Sequence, residues 1–316
     1  MPVHLSARRP SGLISGVIDV RRLRVLREVA LTHSVSRAAE RLGYTPSAVS
    51  QQLAALERET GSVLIERNGR GIRLTPSADV LVAHTKILFE QLERAEADLA
   101  AVADNVAGAV TITSIPTVTR TVLPRVLAVL GDRHPDLSVT LREAGPEGGL
   151  PDLVLGTTDI LIGEEYDVVA PTCESGEVHR TELFCERVLL VQAARYGRNA
   201  GLRVDLESFA GRCWILPPAD SELGAMHRRA CAAAGFDPRV VAETADIQVA
   251  VALVSAGLGV ALIPRLGISH ATPPISISEL SRPINRRVFA ATRSGREEHP
   301  AIAACVLALR EQAQAL

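Results

Sequence analysis

Apolar positions along the first hundred residues recur at two spacings, and the switch between them divides the chain. Val20, Leu23, Leu26 and Ala30 repeat at helical spacing and predict a first helix from about Asp19 to Thr32, with Asp19 as its cap. Ser34 is placed to cap a second helix with Ala38, Ala39 and Leu42 on one side, where the alanines let a third helix cross closely. Gly43 then stands where a helix end takes positive φ. Thr45-Pro46 reads as an N-cap and a first-turn proline, opening a third helix to about Glu59. Its inward stripe is Val49, Leu53 and Leu56; its outward stripe is Ser47, Ser50, Gln51 and Ala54. The period then drops to two. Val63–Arg67 and Ile72–Leu74 flank Asn68-Gly69-Arg70-Gly71, a hairpin with an Asn-Gly turn. Three helices and a wing of this kind predict a winged helix-turn-helix.

Thr75-Pro76 starts a long helix that runs to about Ala103. Ala78, Leu81, Thr85, Leu88, Leu92, Ala95, Leu99 and Val102 step along it by three and four, a heptad stripe that implies a partner helix and a dimer. Residues 104–109 read as a hinge. Beyond it strands and helices alternate: Val110–Thr113, a helical stretch to Arg133, Leu137–Arg142 and Asp159–Gly163. A second set follows in Leu183–Gln192, Cys213–Leu216, helices Ser221–Ala234 and Asp246–Ala256, and Gly259–Ile263. Strand Arg287–Thr292 and a helix from His299 close the chain. This alternation predicts an α/β body with parallel strands.

Charge sharpens the division. The total is −2, but residues 1–74 hold 12 arginines against six carboxylates, and the remainder is net acidic. A basic first module meets phosphate, and an acidic body does not. The first exposed turns of the third helix carry short uncharged donors and acceptors, which suit base edges: Gln51 for adenine, Ser47 and Ser50 for either partner. Arg67, Arg70 and Arg73 place cations on the hairpin, against phosphates or in a minor groove. In the body, ligands are expected at strand ends near helix N-termini. Ser114, Ile115 and Thr117 follow one strand; Leu216, Pro217 and Ser221 follow another; Gly163 and Asp246 stand at equivalent ends. Free N–H groups and hydroxyls there favour a small carboxylate or similar polar effector. Trp214, the sole tryptophan, is expected near this crevice.

The order Leu23-Arg24-Val25-Leu26, Ser36-Arg37-Ala38-Ala39-Glu40-Arg41-Leu42, Thr45-Pro46-Ser47-Ala48-Val49-Ser50-Gln51-Gln52-Leu53, Leu56-Glu57 and Glu66-Arg67 through Thr75 resembles the LysR-type transcriptional regulators. The match is dense over residues 18–103 and looser to the C-terminus. Ile65 stands where that family often has Phe, and Ala78 where Gly is common. The resemblance implies a DNA-binding module at 18–74, a dimerising linker helix at 75–103 and an effector domain at 110–316 of periplasmic-binding-protein-like, two-lobed α/β form. Lobe one is then about 110–182 with 286–316, and lobe two about 183–285. It also implies that Ser34, Ser36, Arg37, Thr45 and Pro46 join the DNA-contacting set. Homodimers or homotetramers, a small-molecule co-inducer without other cofactor, double-stranded DNA and RNA polymerase complete the expected partners. Residues 1–17 have no counterpart; a disordered extension and a start at Val17 both remain open.

Rival classes leave weaker marks. No HExxH, P-loop, GxSxG or strand-borne GxGxxG occurs, so the chain is not expected to be an enzyme. A redox-sensing regulator would pair two cysteines such as Cys185 and Cys213, although buried thiols more often behave as small hydrophobes. A solute-binding protein would explain the second half but not residues 18–74. Five cysteines without CxxC spacing fit a reducing compartment and no zinc site. Ile247–Pro264, the longest uncharged run, is broken by glycines, and no secretion signal precedes Asp19; a cytoplasmic protein without membrane contact is expected.

Overall fold

The computed structural model describes residues 18–68, 71–102, 106–169, 177–196, 202–268 and 274–315. The N-terminal extension, the hairpin tip at Gly69 and Arg70, Ala103 with the start of the hinge, and Cys173 lie outside the described residues. The chain divides into two units, Met1–Gln91 and Leu92–Leu316.

In the first unit, helix α1 (Val20–Thr32), α2 (Val35–Leu42) and α3 (Pro46–Thr60) precede strands β1 (Ile65–Asn68) and β2 (Gly71–Leu74) and the start of α4 (Pro76–Val102). Local chemistry sets the helix ends. Asp19, Ser34 and Thr45 accept hydrogen bonds from the backbone N–H groups of Arg21, Arg37 and Ala48, each worth about 1 kcal/mol. Gly43 and Gly61 close α2 and α3 at positive φ (68° and 64°), where a side chain is strained. The core gathers Leu26, Val29, Ala38, Val49, Leu56 and Leu64, with α2's alanines at the crossing. Each large aliphatic removed from water there contributes roughly 1.5–3 kcal/mol. Buried Glu28 pairs with Arg41 at 2.7 Å and ties α1 to α2. Asn68 pairs with Gly71, so Asn68 belongs to the strand and not to the turn expected at Asn68-Gly69.

The stripe on α4 is split. Ala78 and Thr85 are buried and Leu81 half-buried within the first unit's own packing, so these three do not face a partner helix. Thr85 tolerates burial because its hydroxyl donates to Leu81 O at 2.7 Å. Arg27 lies over the Phe89 ring at 4.6 Å and fixes α1 against α4. Further along, Leu92, Leu99 (73% exposed) and Val102 (84% exposed) lie open.

The second unit holds a mixed sheet. Strands β3 (Gly108–Ser114), β4 (Leu137–Glu143) and β5 (Ile160–Tyr166) run parallel, as the alternation predicts. Helices α5 (Pro116–Thr121), α6 (Leu123–Arg133) and α7 (Pro146–Leu155) connect them. The parallel expectation fails for the two long strands that complete the main sheet. Two long strands, β6 (Val178–Ala193) and β11 (Ile275–Arg293), pair antiparallel with each other, β11 pairs antiparallel with β5, and β6 with β10 (Ala261–Pro264). Both long strands belong to two cores. Leu183, Val288 and Ala290 enter one with α6 and α10 (Pro300–Ala313), while Val188, Leu190, Leu280 and Ile284 enter the other with α8 (Glu222–Ala233). Those cores are the two lobes, and β6 and β11 cross between them. Strand β7 (Arg203–Val204) pairs with β11, and α9 (Ile247–Ser255) leads into β10. The parallel expectation holds again for β8 (Cys213–Leu216) with β9 (Arg239–Glu243). The hinge is shorter than expected, because Gly108 and Ala109 already pair with Leu137 and Ser138.

Candidate nucleic-acid interface and effector crevice

The outward face of α3 is open. Ser47, Ser50 and Gln51 are exposed, as are Thr45, Pro46, Ser36 and Arg37, while Ser34 is half-buried at its cap. The Ser50 hydroxyl donates to Pro46 O at 2.9 Å, which leaves its lone pairs outward. The wing is tied to this helix by Glu57, whose carboxylate accepts from the N–H groups of Leu64 (2.8 Å) and Ile65 (3.3 Å). Thr75 completes the tie by donating to Val63 O at 2.7 Å and capping α4 at Ala78. Arg73 is exposed but paired with Glu66 across the hairpin, so it meets a phosphate only in competition with that carboxylate. Arg67 lies on β1, opposite Ile72; Arg70 lies outside the described residues.

In the second unit, the expected effector residues do not form one cluster. Thr117 is brought into a buried charged group at the lobe crossing. Arg286, only 1% exposed, donates to Thr117 Oγ1 at 3.1 Å and pairs with Glu164 (3.0 Å) and Glu186 (2.8 Å). Tyr166 donates to Glu164 at 3.0 Å, and Leu266 N–H donates to Glu186 at 2.6 Å. Burial pushes the Glu186 carboxyl and the Tyr166 hydroxyl upward, while the two flanking carboxylates hold Arg286 charged against its desolvation. The run extends to α9, where Gln248 donates to Gly267 O at 2.9 Å. Arg286, Glu164, Tyr166 and Glu186 carried no sequence signal: a lone charged residue in a strand normally reads as solvent-facing.

The other candidates serve mainly as structure. Ser114 is fully buried and donates to Ile115 O at 3.2 Å, and Ile115 packs in the lobe-one core. Ser221 caps α8 by accepting from Gly224 N–H (3.0 Å), and its hydroxyl donates to Pro218 O (2.8 Å). Asp246 caps α9 through Gln248 N–H at 2.8 Å. Gly163 faces the Phe289 ring; a Cβ there would lie 2.7 Å from it, so close packing requires this glycine. Leu216 and Pro217 are buried, the former in the lobe-two core. Trp214 is 0% exposed, stacks 5.8 Å from Phe236 and donates to Phe209 O at 3.3 Å, so it sits inside that core and not at a crevice. Cys185 is exposed on β6, whereas Cys213 lies on β8, beside the chain entering β10. Ala261, at the start of β10, pairs with Val191 of β6, six residues or ~20 Å from Cys185. A disulfide needs Cα atoms within about 7 Å, so this arrangement does not join the two. Among the described residues no group of side chains could hold a metal ion, and no helix is long and apolar enough to cross a membrane; Ile247–Pro264 divides into α9 and β10.

Residues 20–79 match the bacterial regulatory helix-turn-helix model of the lysR family, and residues 103–314 match the LysR substrate binding domain. Among curated relatives, the transcriptional dual regulator GltC of Bacillus subtilis is 28% identical, covering 82% of this chain and 85% of its own. A probable hydrogen peroxide-inducible genes activator of Mycobacterium avium is 30% identical, with 87% and 84% covered. The structure of a full-length OxyR variant from Pseudomonas aeruginosa superposes with a TM-score of 0.63 at 22% identity, covering 93% of this chain and 95% of that one. Winged module, linker helix, two-lobed body and both family matches lead to one conclusion: the chain belongs to the LysR family of DNA-binding transcriptional regulators with an effector-binding domain.

Proposed function

We propose that this regulator binds a two-fold-related operator as a homodimer in the cytoplasm and reads it with Ser47, Ser50 and Gln51. The observation that carries the reading is the uncharged, exposed stripe on α3, held beside its wing by Glu57. A good bidentate base contact is worth ~1–3 kcal/mol of discrimination. Arg67 supplies affinity through phosphate, and its removal lowers the salt slope by about 1 per site. The open apolar side chains Leu92, Leu99 and Val102 on α4 support pairing with a second copy, and further association into tetramers. Fluorescence anisotropy against DNA from upstream of the gene, with unrelated duplex as control, tests the reading at two salt concentrations. Tight, salt-sensitive preference for the upstream fragment supports it; no binding at low salt overturns it.

The effector is a small polar metabolite bound between the lobes near Thr117 and Arg286. Arg286 already has two carboxylates, so an anionic effector binds by displacing one of them. Glu186, whose carboxyl is pushed up by burial, yields most readily, and anion binding then takes up a proton. Effector binding favours one lobe arrangement and so changes contact with DNA and RNA polymerase; equal affinity for both arrangements would shift nothing. Calorimetry in two buffers of different ionisation enthalpy measures the proton uptake, and its absence with a bound anion refutes the displacement.

A further inference from the structure

A separate cavity of about 500 Å³ opens in lobe two and shares no lining residue with the Arg286 cluster. Its origin lies in the pairing of β6 and β11. Glu279 pairs with Leu189 and Ile284 with Val188, so residues 280–283 have no partner on β6 and swing out. Leu280 pairs instead with Val204 of β7, and Pro283, which lacks an N–H, suits the excursion. Opposite it, α8 ends in small side chains at Ala230 and Ala233, which leave the space open. Leu206, Leu280 and Ile284 complete an apolar interior. Three charged residues line the same cavity, Asp205 and Glu207 from the turn before β8 and Arg282 from the excursion. Among the described residues none of these three has an ion pair.

An apolar chamber lined by charges of both signs fits a molecule that carries both charges on one head and an apolar body behind it. We infer that this cavity binds a free α-amino acid with a large apolar side chain. Its ammonium group meets Asp205 and Glu207, its carboxylate meets Arg282, and its side chain fills the space beside Ala230 and Ala233. This is a second small-molecule site, additional to the inter-lobe crevice. It reports on itself, because Trp214 donates to Phe209 O, and Phe209 ends the 206–209 turn that carries Leu206 and Glu207.

The test titrates the full-length protein with L-phenylalanine and follows Trp214 emission and heat. A ligand of about a dozen non-hydrogen atoms is expected to saturate with a Kd between about 5 µM and 2 mM. Arg282→Ala weakens binding about tenfold by removing the carboxylate's partner. Ala233→Phe, at an exposed position that tolerates bulk, abolishes binding by filling the chamber. Phenethylamine and 3-phenylpropionate, which each lack one charge, bind more weakly than L-phenylalanine. Thr117→Val, in the crevice, leaves the binding unchanged. Absence of saturation overturns the inference, as does saturation that survives both lobe-two variants. Loss of binding in Thr117→Val alone places the ligand in the crevice and also overturns it.

Discussion

His227 makes the stability of lobe two depend on acid. It is fully buried on α8, its Nδ1 within 2.8 Å of Leu223 O and its Nε2 accepting from Leu262 N–H at 3.1 Å. Nδ1 therefore carries the proton and donates, and the ring is neutral. A second proton would displace the Leu262 bond, and burial disfavours the charge, so the pKa falls from 6.5 to about 4. The folded value is depressed, so this stability is present above the unfolded value and is lost as pH falls through 6.5 toward about 4. Between about pH 7.5 and about pH 5 the unfolded chain gains most of one proton and the folded chain little. The loss is roughly 2 kcal/mol, or a fall in Tm of about 4–8 °C for a domain of this size. Thermal unfolding of the wild type and of His227→Gln across that range measures it. The Gln side chain can still accept from Leu262 but cannot take up the proton. The variant is expected to start less stable and to lose less on acidification. An equal pH slope in both proteins refutes the assignment to His227.

Gln51→Ala is expected to cost about 1–3 kcal/mol of discrimination at one operator position, and unchanged sequence preference in anisotropy titrations would show that α3 reads DNA elsewhere. Glu57→Ala leaves two backbone donors at the wing without an acceptor, so it should destabilise the first module by about 1–3 kcal/mol and weaken DNA binding of every sequence alike. Leu99→Glu places a charge on the open α4 seam; sedimentation should show a weakened dimer while circular dichroism stays unchanged. Glu93 accepts from Arg293 and Arg296, which hold its carboxyl below the usual range against the upward pull of burial. Glu93→Gln should therefore loosen α4 from lobe one, read as faster hydrogen exchange near Val102; unchanged exchange counts against that tie.

The first module was legible because its signals are local. Caps at Asp19, Ser34 and Thr45, glycine at 43 and the stripe Val49–Leu53–Leu56 act within one or two helical turns, where residue spacing and backbone chemistry suffice. The body was legible as alternating elements but not as a sheet. The sequence reading of β11 began at Arg287, yet the strand begins at Ile275, and a proline and an outward excursion hide its period. Gly163 read as a ligand-site glycine, but its reason is the Phe289 ring, brought from another strand.

What residue order determined by itself was the succession of modules, the uncharged outward face of α3 and the family to which the chain belongs, because each rests on short-range pattern. What tertiary structure alone decided was where charge is buried and which faces are covered. Arg286 between Glu164 and Glu186, Trp214 in a closed core and the three residues of the α4 stripe that turn inward all depend on strands and helices far apart in the chain. A side chain's solvation is set by its neighbours in space, and sequence spacing carries no record of those until the chain has folded.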